Sequence, residues 1–238
     1  MTASLPDPAL VDRLVLANRI LYQQGVVDAF GHVSARHDRD PSRFLLARNM
    51  APGLVRHEDI LTFDLDGAPL DAAGRRVYLE RFIHAEIYRA RPDVRAVVHS
   101  HSPSVIPFGA TTQPLKPIFH MSGFLGDGAA RFEIRDVADD TDMLVSSGAL
   151  GAALAKSLGE RSFVLMRGHG STAVGASLEQ AVYRAVYAEV NARLQLQAVT
   201  LGEVTYLNAK EAARASATND TQLARVWDLW TRNVGKIE

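Results

Sequence analysis

Three histidines stand where the chain leaves strand-like segments, and their side chains suit a divalent metal ion. His99 and His101 are separated by one residue directly after the β-branched run 95–98. Side chains two residues apart in a strand point to the same face, so these two imidazoles converge. His169 follows a second apolar run, at 162–166, and lies between two glycines that let the backbone turn sharply. If both strands end at one edge of a sheet, the three imidazoles meet there.

Three protein ligands with an open position are typical of a catalytic divalent site. The chain has no cysteine, so thiolate ligands, disulfides and cysteine nucleophiles are excluded. Imidazole binds zinc and manganese, and also cobalt, nickel or iron, so the residue types alone do not choose the metal. The residues therefore predict a divalent ion and leave its identity open.

Glu80 is the candidate for acid–base chemistry beside this ion. It begins a predicted helix over 79–91, and a helix N-terminus favours a negative charge. Its carboxylate could ligate the ion or move a proton. His84 lies one turn further along the same helix face, and we interpret it as a supporting residue rather than a ligand. His37 and His57 stand among polar residues and are predicted to lie at the surface.

The elements that would position these residues predict a layered α/β domain. A first helix follows Pro8 and ends before Gly25. Further helices are predicted over 149–158, 177–201 and 222–232, and strands over 31–36, 44–47, 60–63, 95–99 and 162–166. The predicted fold is a three-layer α/β/α arrangement with a central, largely antiparallel sheet. We expect residues 1–238 to form a single domain, with residues 210–238 as a C-terminal helical extension.

Composition argues against several other classes of protein. The 238 residues are 47% hydrophobic with a net charge of −1, and their Lys and Arg form no basic stripe for nucleic acid. The apolar stretches fall far short of the ~20 residues that a membrane span needs. The N-terminal segment lacks the basic and apolar regions of a signal peptide. We therefore expect a cytoplasmic protein that acts on a small molecule, not on nucleic acid or membrane.

The same residues resemble the class II aldolase/adducin family. The segments that carry the resemblance are 31–36, 80–84, 92–101 and 167–170, and it covers roughly residues 8–210. It implies that the three histidines hold one divalent metal per subunit, zinc or manganese first, with cobalt, iron or magnesium as alternatives. It also implies that Glu80 is a catalytic acid/base or a labile ligand, and that the protein is a homotetramer with its sites at subunit junctions.

The chain departs from the sugar-phosphate aldolases of this family where those enzymes bind phosphate. His32 stands where they carry Asn, and the stretch 46–52 replaces their Thr/Ser-Gly loop. Tyr78 and Leu79 replace small hydroxyl residues before Glu80. A phosphorylated ketose is therefore a poor substrate. The replacements resemble the branch that decarboxylates hydroxylated aromatic or pyridine carboxylates, typified by 3-hydroxy-2-methylpyridine-4,5-dicarboxylate decarboxylase.

Five residues outside the predicted metal ligands are candidates for substrate contact or proton transfer. His32 and Tyr78 would build a flat pocket for an aromatic ring. Arg48 could pair with a carboxylate, although a solvent-facing arginine at a strand end explains it equally well. His120 precedes a stretch that reaches a neighbouring subunit's site in the related aldolases, so it could donate a proton, orient substrate or lie in the interface. Tyr206 could close the pocket or pack on the core.

These residues support a metal-dependent carbon–carbon lyase. The leading hypothesis is non-oxidative decarboxylation of a hydroxylated aromatic or pyridine carboxylate through a metal-stabilised phenolate or enolate. Glu80 is the expected donor and acceptor of the proton, since burial can raise the pKa of a carboxyl group. The alternatives are a class II aldolase acting on a non-phosphorylated hydroxy-carbonyl substrate and a non-catalytic, adducin-like interaction module.

Overall fold

The computed structural model describes residues 5–235, and one mixed sheet runs through that part of the chain. Its strands are β1 (His32–Arg36), β2 (Arg43–Ala47), β3 (Ile60–Asp64), β4 (Ala96–Ser100), β5 (Ala130–Phe132), β6 (Phe163–Met166) and β7 (Gly170–Gly175). Their order across the sheet is β3-β2-β1-β4-β7-β6-β5. Neighbouring strands are antiparallel, apart from the parallel pair β5 and β6. The predicted α/β class with a largely antiparallel sheet is confirmed.

Helices cover both faces of this sheet. They are α1 (Pro8–Gln23), α2 (Arg81–Ala90), α3 (Ile106–Ala110), α4 (Gly148–Leu158), α5 (Leu178–Leu201), α6 (Ala209–Asp220) and α7 (Leu223–Asn233). Buried side chains of α1 and α5 form one core with one face, and those of α2 and α4 form a second core with the other face. The three predicted layers follow from this division. Within residues 5–235, each helix is too short or too polar to cross a bilayer.

Strand alternation decides which side chains face α2. In β4, Val97 belongs to the core under α2 and α4, whereas Val98 belongs to the core under α1 and α5. His99 has the same alternation as Val97, and the cross-strand register places His32 opposite His99 and Ser34 opposite Val97. The polar residues of β1 and β4 therefore lie on the sheet face that α2 covers.

The predicted meeting of two histidine-bearing strands is confirmed. β4 and β6 each run antiparallel to β7, which lies between them, so both end at the same edge of the sheet. His99 is in β4, His101 follows it, and His169 lies in the turn between β6 and β7. A Cβ atom at Gly170 would clash with the carbonyl oxygen of Ser100, so glycine is required for β7 to begin beside the end of β4.

Helices α6 and α7 follow α5 in the described part of the predicted C-terminal extension. Trp230 of α7 is buried in the core that α1 and α5 share. Residues 1–4 and 236–238, which the predicted single domain includes, lie outside the described residues. The single-domain organisation therefore stays a prediction.

Candidate metal centre

Four ligand atoms gather at the edge where β4 and β6 end. Glu80 and the three histidines each offer one atom, and these atoms all lie within 4.8 Å of one another. The Nε2 atom of His101 is 3.2 Å from that of His99 and 3.0 Å from that of His169. The Oε2 atom of Glu80 is 3.5 Å from Nε2 of His99 and 3.4 Å from Nε2 of His169.

These separations fit a bound divalent cation. An ion with tetrahedral bonds of about 2.0–2.1 Å keeps its ligand atoms about 3.4 Å apart. Four of the six pairs of ligand atoms are 3.0–3.5 Å apart, and all six pairs lie within 4.8 Å. Neutral imidazole and carboxylate are donors that zinc, manganese and related metals accept. The residues present therefore fit the predicted metal.

The outward nitrogens of two histidines are tied to the backbone. Nδ1 of His99 is 3.1 Å from the carbonyl oxygen of Ser171, and Nδ1 of His169 is 2.8 Å from that of Met143. A carbonyl only accepts, so both Nδ1 atoms carry the proton and both Nε2 lone pairs point to the centre. His101 differs, since within residues 5–235 no protein group hydrogen-bonds its Nδ1.

Glu80 stands at the N-cap position of α2, and its two carboxylate oxygens have different partners. Its Oε1 accepts a hydrogen bond of 2.9 Å from the backbone N–H of Val145, which leaves Oε2 for the histidines. Burial opposes its charge, but His99 and His169 outweigh burial and hold the pKa of this carboxyl well below its usual range. The expectation of a raised pKa is therefore wrong, and Glu80 is a carboxylate.

The histidines of the centre respond differently to their surroundings. Burial, together with His99 and His169, lowers the pKa of His101 to about 4, so this ring is neutral near pH 7. Burial also opposes a charge on His169, but its hydrogen bond to Glu80 raises the pKa of this ring. A neutral imidazole has the lone pair that a metal requires, and binding displaces any proton that remains.

A second buried polar cluster lies beside the metal centre, and we call it the buried network (His32, His84, Ser34 and Tyr88). Nδ1 of His32 is 2.6 Å from Nε2 of His84, whose Nδ1 is 2.6 Å from Oγ of Ser34. Ser34 Oγ is in turn 2.8 Å from the Tyr88 hydroxyl. Burial lowers the pKa of His84 to about 3 and that of His32 well below its usual value, so both rings are neutral. His84 thus supports His32, as interpreted from the sequence.

The metal centre and the buried network open into one cavity of about 480 Å³. Its lining is mostly apolar and consists of Ala29, Phe30, Gly31, His32, Asn49, Met50, Ala51, Tyr78, Leu79, Glu80, His101 and Leu144. None of these lining residues is Lys or Arg. The ring of Tyr78 lies 4.6 Å from that of His32, and its hydroxyl donates to the carbonyl of Met50. Burial raises the pKa of Tyr78 to about 12, so the hydroxyl keeps its proton.

Two of the sequence-predicted substrate contacts have protein partners elsewhere. Nε of Arg48 is 2.6 Å from Oδ1 of Asp59. The Tyr206 hydroxyl accepts hydrogen bonds of 3.1 Å from the side-chain amides of Gln113 and Gln195. Neither Arg48 nor Tyr206 is among the residues that line the cavity in one subunit. Their roles in substrate binding stay predictions.

The remaining histidines lie outside the cavity. His120 is exposed at the start of a 3₁₀ turn, and its carbonyl accepts a hydrogen bond from the Asn219 side chain, so its catalytic role stays a prediction. His57 is exposed, as predicted. The prediction of a surface position for His37 is wrong, because this ring is buried and its Nδ1 accepts from the backbone N–H groups of Arg39 and Asp40.

Sequence reasoning missed the far end of the buried network and the backbone supports of the centre. Ser34 lies two residues from His32 in a strand, and Tyr88 lies four residues from His84 in a helix. Both spacings place side chains on one face, so that signal was available. The carbonyl of Met143 and the N–H of Val145 are loop backbone groups that no residue type could have indicated.

Comparisons with known proteins agree with this geometry. Residues 12–196 match the family described as Class II Aldolase and Adducin N-terminal domain. Decarboxylase tropJ of Talaromyces stipitatus is 36% identical, with 97% of this chain and 96% of that protein aligned. A 3,4-dihydroxyphthalate decarboxylase of Arthrobacter keyseri is 35% identical over 80% of this chain and 79% of that protein.

A solved structure extends the comparison to the fold. L-fuculose 1-phosphate aldolase from Glaciozyma antarctica PI12 superposes with a TM-score of 0.80 over 100% of this chain and 96% of that one. Its sequence is 22% identical, so it shows the shared architecture alone.

Proposed function

Because the chain belongs to the class II aldolase and adducin family and is an enzyme of that family, we propose that it is a metal-dependent decarboxylase of hydroxylated aromatic or pyridine carboxylates. One observation carries the proposal: three imidazole nitrogens and one carboxylate oxygen converge at a cavity whose lining is largely apolar and contains no lysine or arginine. The two similar decarboxylases support the same reaction class.

The reaction requires a place for an electron pair and a source of a proton. Decarboxylation breaks the bond between a ring carbon and the carboxyl carbon, leaves the pair on the ring and replaces CO2 with a proton. When bound, a divalent cation supplies Lewis acidity, which lowers the pKa of a hydroxyl and stabilises negative charge on oxygen. His99, His101 and His169 would hold the cation, with Glu80 beside it.

Glu80 is suited to receive a proton first and return it later. Its carboxyl is ionised before substrate binds, because His99 and His169 hold its pKa low. It can therefore take the proton of the ring hydroxyl as the acid binds and deliver it to the ring carbon after CO2 leaves. General acid–base help of this kind is typically worth about 10²–10⁴ in rate.

The cavity wall favours a flat, uncharged ring over a sugar phosphate. Met50, Tyr78 and Leu144 contribute apolar surface next to the metal centre. A phosphate needs several converging donors or positive charges, and no lysine or arginine stands among the lining residues. This supports decarboxylation over aldol cleavage of a phosphorylated substrate. Aldol cleavage of an unphosphorylated hydroxy-carbonyl compound is distinguished by experiment.

The proposal includes the finer expectations from the sequence. The metal is zinc or manganese, with cobalt, iron or magnesium as alternatives. The protein is a cytoplasmic homotetramer whose sites lie at subunit interfaces, so His120 and Tyr206 could complete a neighbouring subunit's cavity. The substrate is a small carboxylate, and no nucleic acid or membrane takes part.

The test is a screen of the metal-stripped protein after reloading with manganese, zinc, cobalt or magnesium. Hydroxylated benzoates, phthalates and pyridine carboxylates are assayed for CO2 release, and hydroxy-carbonyl compounds for aldehyde release. We expect CO2 from an acid with a hydroxyl next to its carboxylate. Aldehyde release without CO2 would support the aldolase instead. Protein that binds no metal and turns over neither class would support the adducin-like module.

A further inference from the structure

One ring nitrogen of the buried network has no protein partner, and it belongs to a residue that lines the cavity. Nδ1 of His32 is engaged by His84, and His32 is a lining residue of the cavity. Within the described residues, Nε2 of His32 has no hydrogen-bond partner. The His32 ring also lies 5.0 Å from the ring of His99, which places the ring next to the metal centre.

The protons of the network can be assigned from its geometry. Three hydrogen bonds join four neutral groups, and each bond uses one proton. If Tyr88 donates to Ser34, then Ser34 donates to His84 and His84 donates to His32. Every buried proton is then used, and the proton of His32 stands on Nε2.

Any other arrangement leaves a buried hydroxyl proton without an acceptor. If Ser34 donates to Tyr88, the proton of the Tyr88 hydroxyl needs another acceptor. If His84 and Tyr88 both donate to Ser34, the proton of the Ser34 hydroxyl needs another acceptor. Within residues 5–235, no other side chain accepts from either hydroxyl. Burial raises the pKa of Tyr88, but the backbone hydrogen bond between Val97 and Tyr88 lowers it, as a bond donated to the Tyr88 oxygen does. Buried donors without partners are costly and rare, so the outward arrangement, from Tyr88 to His32, prevails.

We propose that the buried network holds His32 as a neutral Nε2–H donor, and that this donor binds an oxygen of the substrate carboxylate beside the metal. Ser34, His84 and Tyr88 are positioning residues, and His32 is the residue that touches substrate. The donor's orientation stands on its own, whereas the nature of the ligand rests on the proposed function.

A neutral donor suits a carboxylate that must leave as CO2. The charge on that group is lost in the transition state, so a guanidinium or ammonium partner would stabilise the bound acid more than the transition state. A neutral N–H orients the group with less of this penalty. The cavity lining agrees with this argument, since it contains no lysine or arginine that could pair with the carboxylate.

The first experiment reads the proton position directly. Zinc-loaded protein with ¹⁵N-labelled histidine is studied by long-range ¹H–¹⁵N correlation, which distinguishes the two ring tautomers. We expect His32 and His84 both to carry the proton on Nε2. Tyr88→Phe retains the packing of the ring, and Ser34 can still donate to His84, so His32 should keep its proton on Nε2. Ser34→Ala removes the group that donates to Nδ1 of His84, so His32 should become a mixture of tautomers. A wild-type His32 with its proton on Nδ1 would overturn the inference.

The second experiment measures binding of salicylate, which presents a hydroxyl next to a carboxylate, to zinc-loaded variants. His32→Phe should weaken binding about 10- to 100-fold, the usual worth of a hydrogen bond to a charged group. His32→Gln keeps an N–H donor and should recover most of the affinity. Equal affinity in His32→Phe protein with full metal content would show that His32 does not hold the carboxylate.

The two experiments separate this inference from the proposed function. If salicylate binds as expected but no acid releases CO2, the decarboxylase proposal fails and the donor role of His32 stands. If CO2 is released while the His32 proton is on Nδ1, the decarboxylase proposal stands and the donor role of His32 fails.

Discussion

The metal centre and the buried network are neighbouring clusters of buried polar groups with opposite internal bonding. In the network, each contact of 2.6–2.8 Å joins a donor to an acceptor, and all three bonds can form at once. In the metal centre, Nε2 atoms face one another at 3.0 and 3.2 Å, although the backbone partners of His99 and His169 direct lone pairs to the same point. The network is complete as it stands, whereas the centre needs a cation.

This difference shows how a ligand site can be told from a structural cluster. Buried polar groups in folded proteins nearly always have partners. Histidines whose outer nitrogens are anchored, and whose inner nitrogens converge on one point beside a carboxylate, indicate a cation site. Composition alone would not separate the clusters, since each contains buried histidine.

Removing a ligand should have the largest effect. His99→Ala deletes a fully buried imidazole from the metal centre, so we expect loss of stoichiometric metal and of all detectable turnover. Metal analysis and the CO2 assay measure both losses. His57→Ala, at an exposed histidine far from the cavity lining, is the matched control and should keep both. Full metal content in the His99 variant would contradict the assigned centre.

Neutralising the carboxylate should have the next largest effect. Glu80→Gln keeps the shape of the side chain and an oxygen that can accept from Val145, but it cannot take up a proton. We expect turnover to fall about 10²–10⁴-fold while metal remains bound. Metal content and kcat are measured on the same preparation. Loss of metal would instead make Glu80 a ligand first and a base second.

Metal should raise the free energy of unfolding by binding at the metal centre alone. A cation present at 100 times its Kd raises the free energy of unfolding by about 2.7 kcal/mol. Chemical denaturation with and without zinc measures this gain in wild-type protein. The gain should vanish in His99→Ala and persist in Tyr88→Phe, because only the first variant alters a ligand. An equal gain in all three proteins would place the stabilising metal elsewhere.

Acid should destabilise the metal-free protein through the network. His84 has a pKa of about 3 in the folded protein and about 6.5 when unfolded, so the unfolded chain binds the extra proton as pH falls below 6.5. The stability that a neutral His84 contributes is fully present above pH 6.5, and the free energy of unfolding is lower by about 2 kcal/mol at pH 5. His84→Gln should lack that loss. Unfolding free energies of both proteins at pH 7.5 and pH 5 provide the test, and parallel declines would contradict a neutral His84.

Arg48→Ala should have the smallest effect, since its guanidinium is paired with Asp59 outside the cavity lining. The side chain is 38% exposed, so loss of this pair should cost at most about 1 kcal/mol in stability. We expect KM for a substrate acid to change less than about twofold, by steady-state kinetics. A rise in KM of tenfold or more would restore Arg48 as a carboxylate contact.

The gathering of the metal-centre residues could be predicted because it depends on strand geometry. The spacing of His99 and His101, and the common edge for two strand ends, follow from residue pattern and sheet rules. The strand between them could not be predicted as readily. β7 has the sequence GSTAVG, whose small residues give little periodicity, and it begins at a glycine that also reads as part of a turn.

Other features depend on contacts that no local pattern contains. His37 has polar neighbours in sequence, yet it is buried because its ring nitrogen accepts from the backbone of the following turn. The low pKa of Glu80 could not be predicted, since it depends on two histidines that are close only in the folded protein. Residue type indicates which chemistry is possible, and long-range packing decides the charge state.

The unanchored outer nitrogen of His101 has a consequence for the kinetics of metal exchange. His99 and His169 are held by backbone carbonyls, and Glu80 is held by a backbone N–H. None of these side chains can rotate away without breaking a hydrogen bond to the backbone. His101 follows its strand, is only half-buried and can rotate without such a loss. We expect chelators to strip the ion through this ligand, and a carbonyl or carboxylate placed behind His101 to slow its escape without altering the reaction.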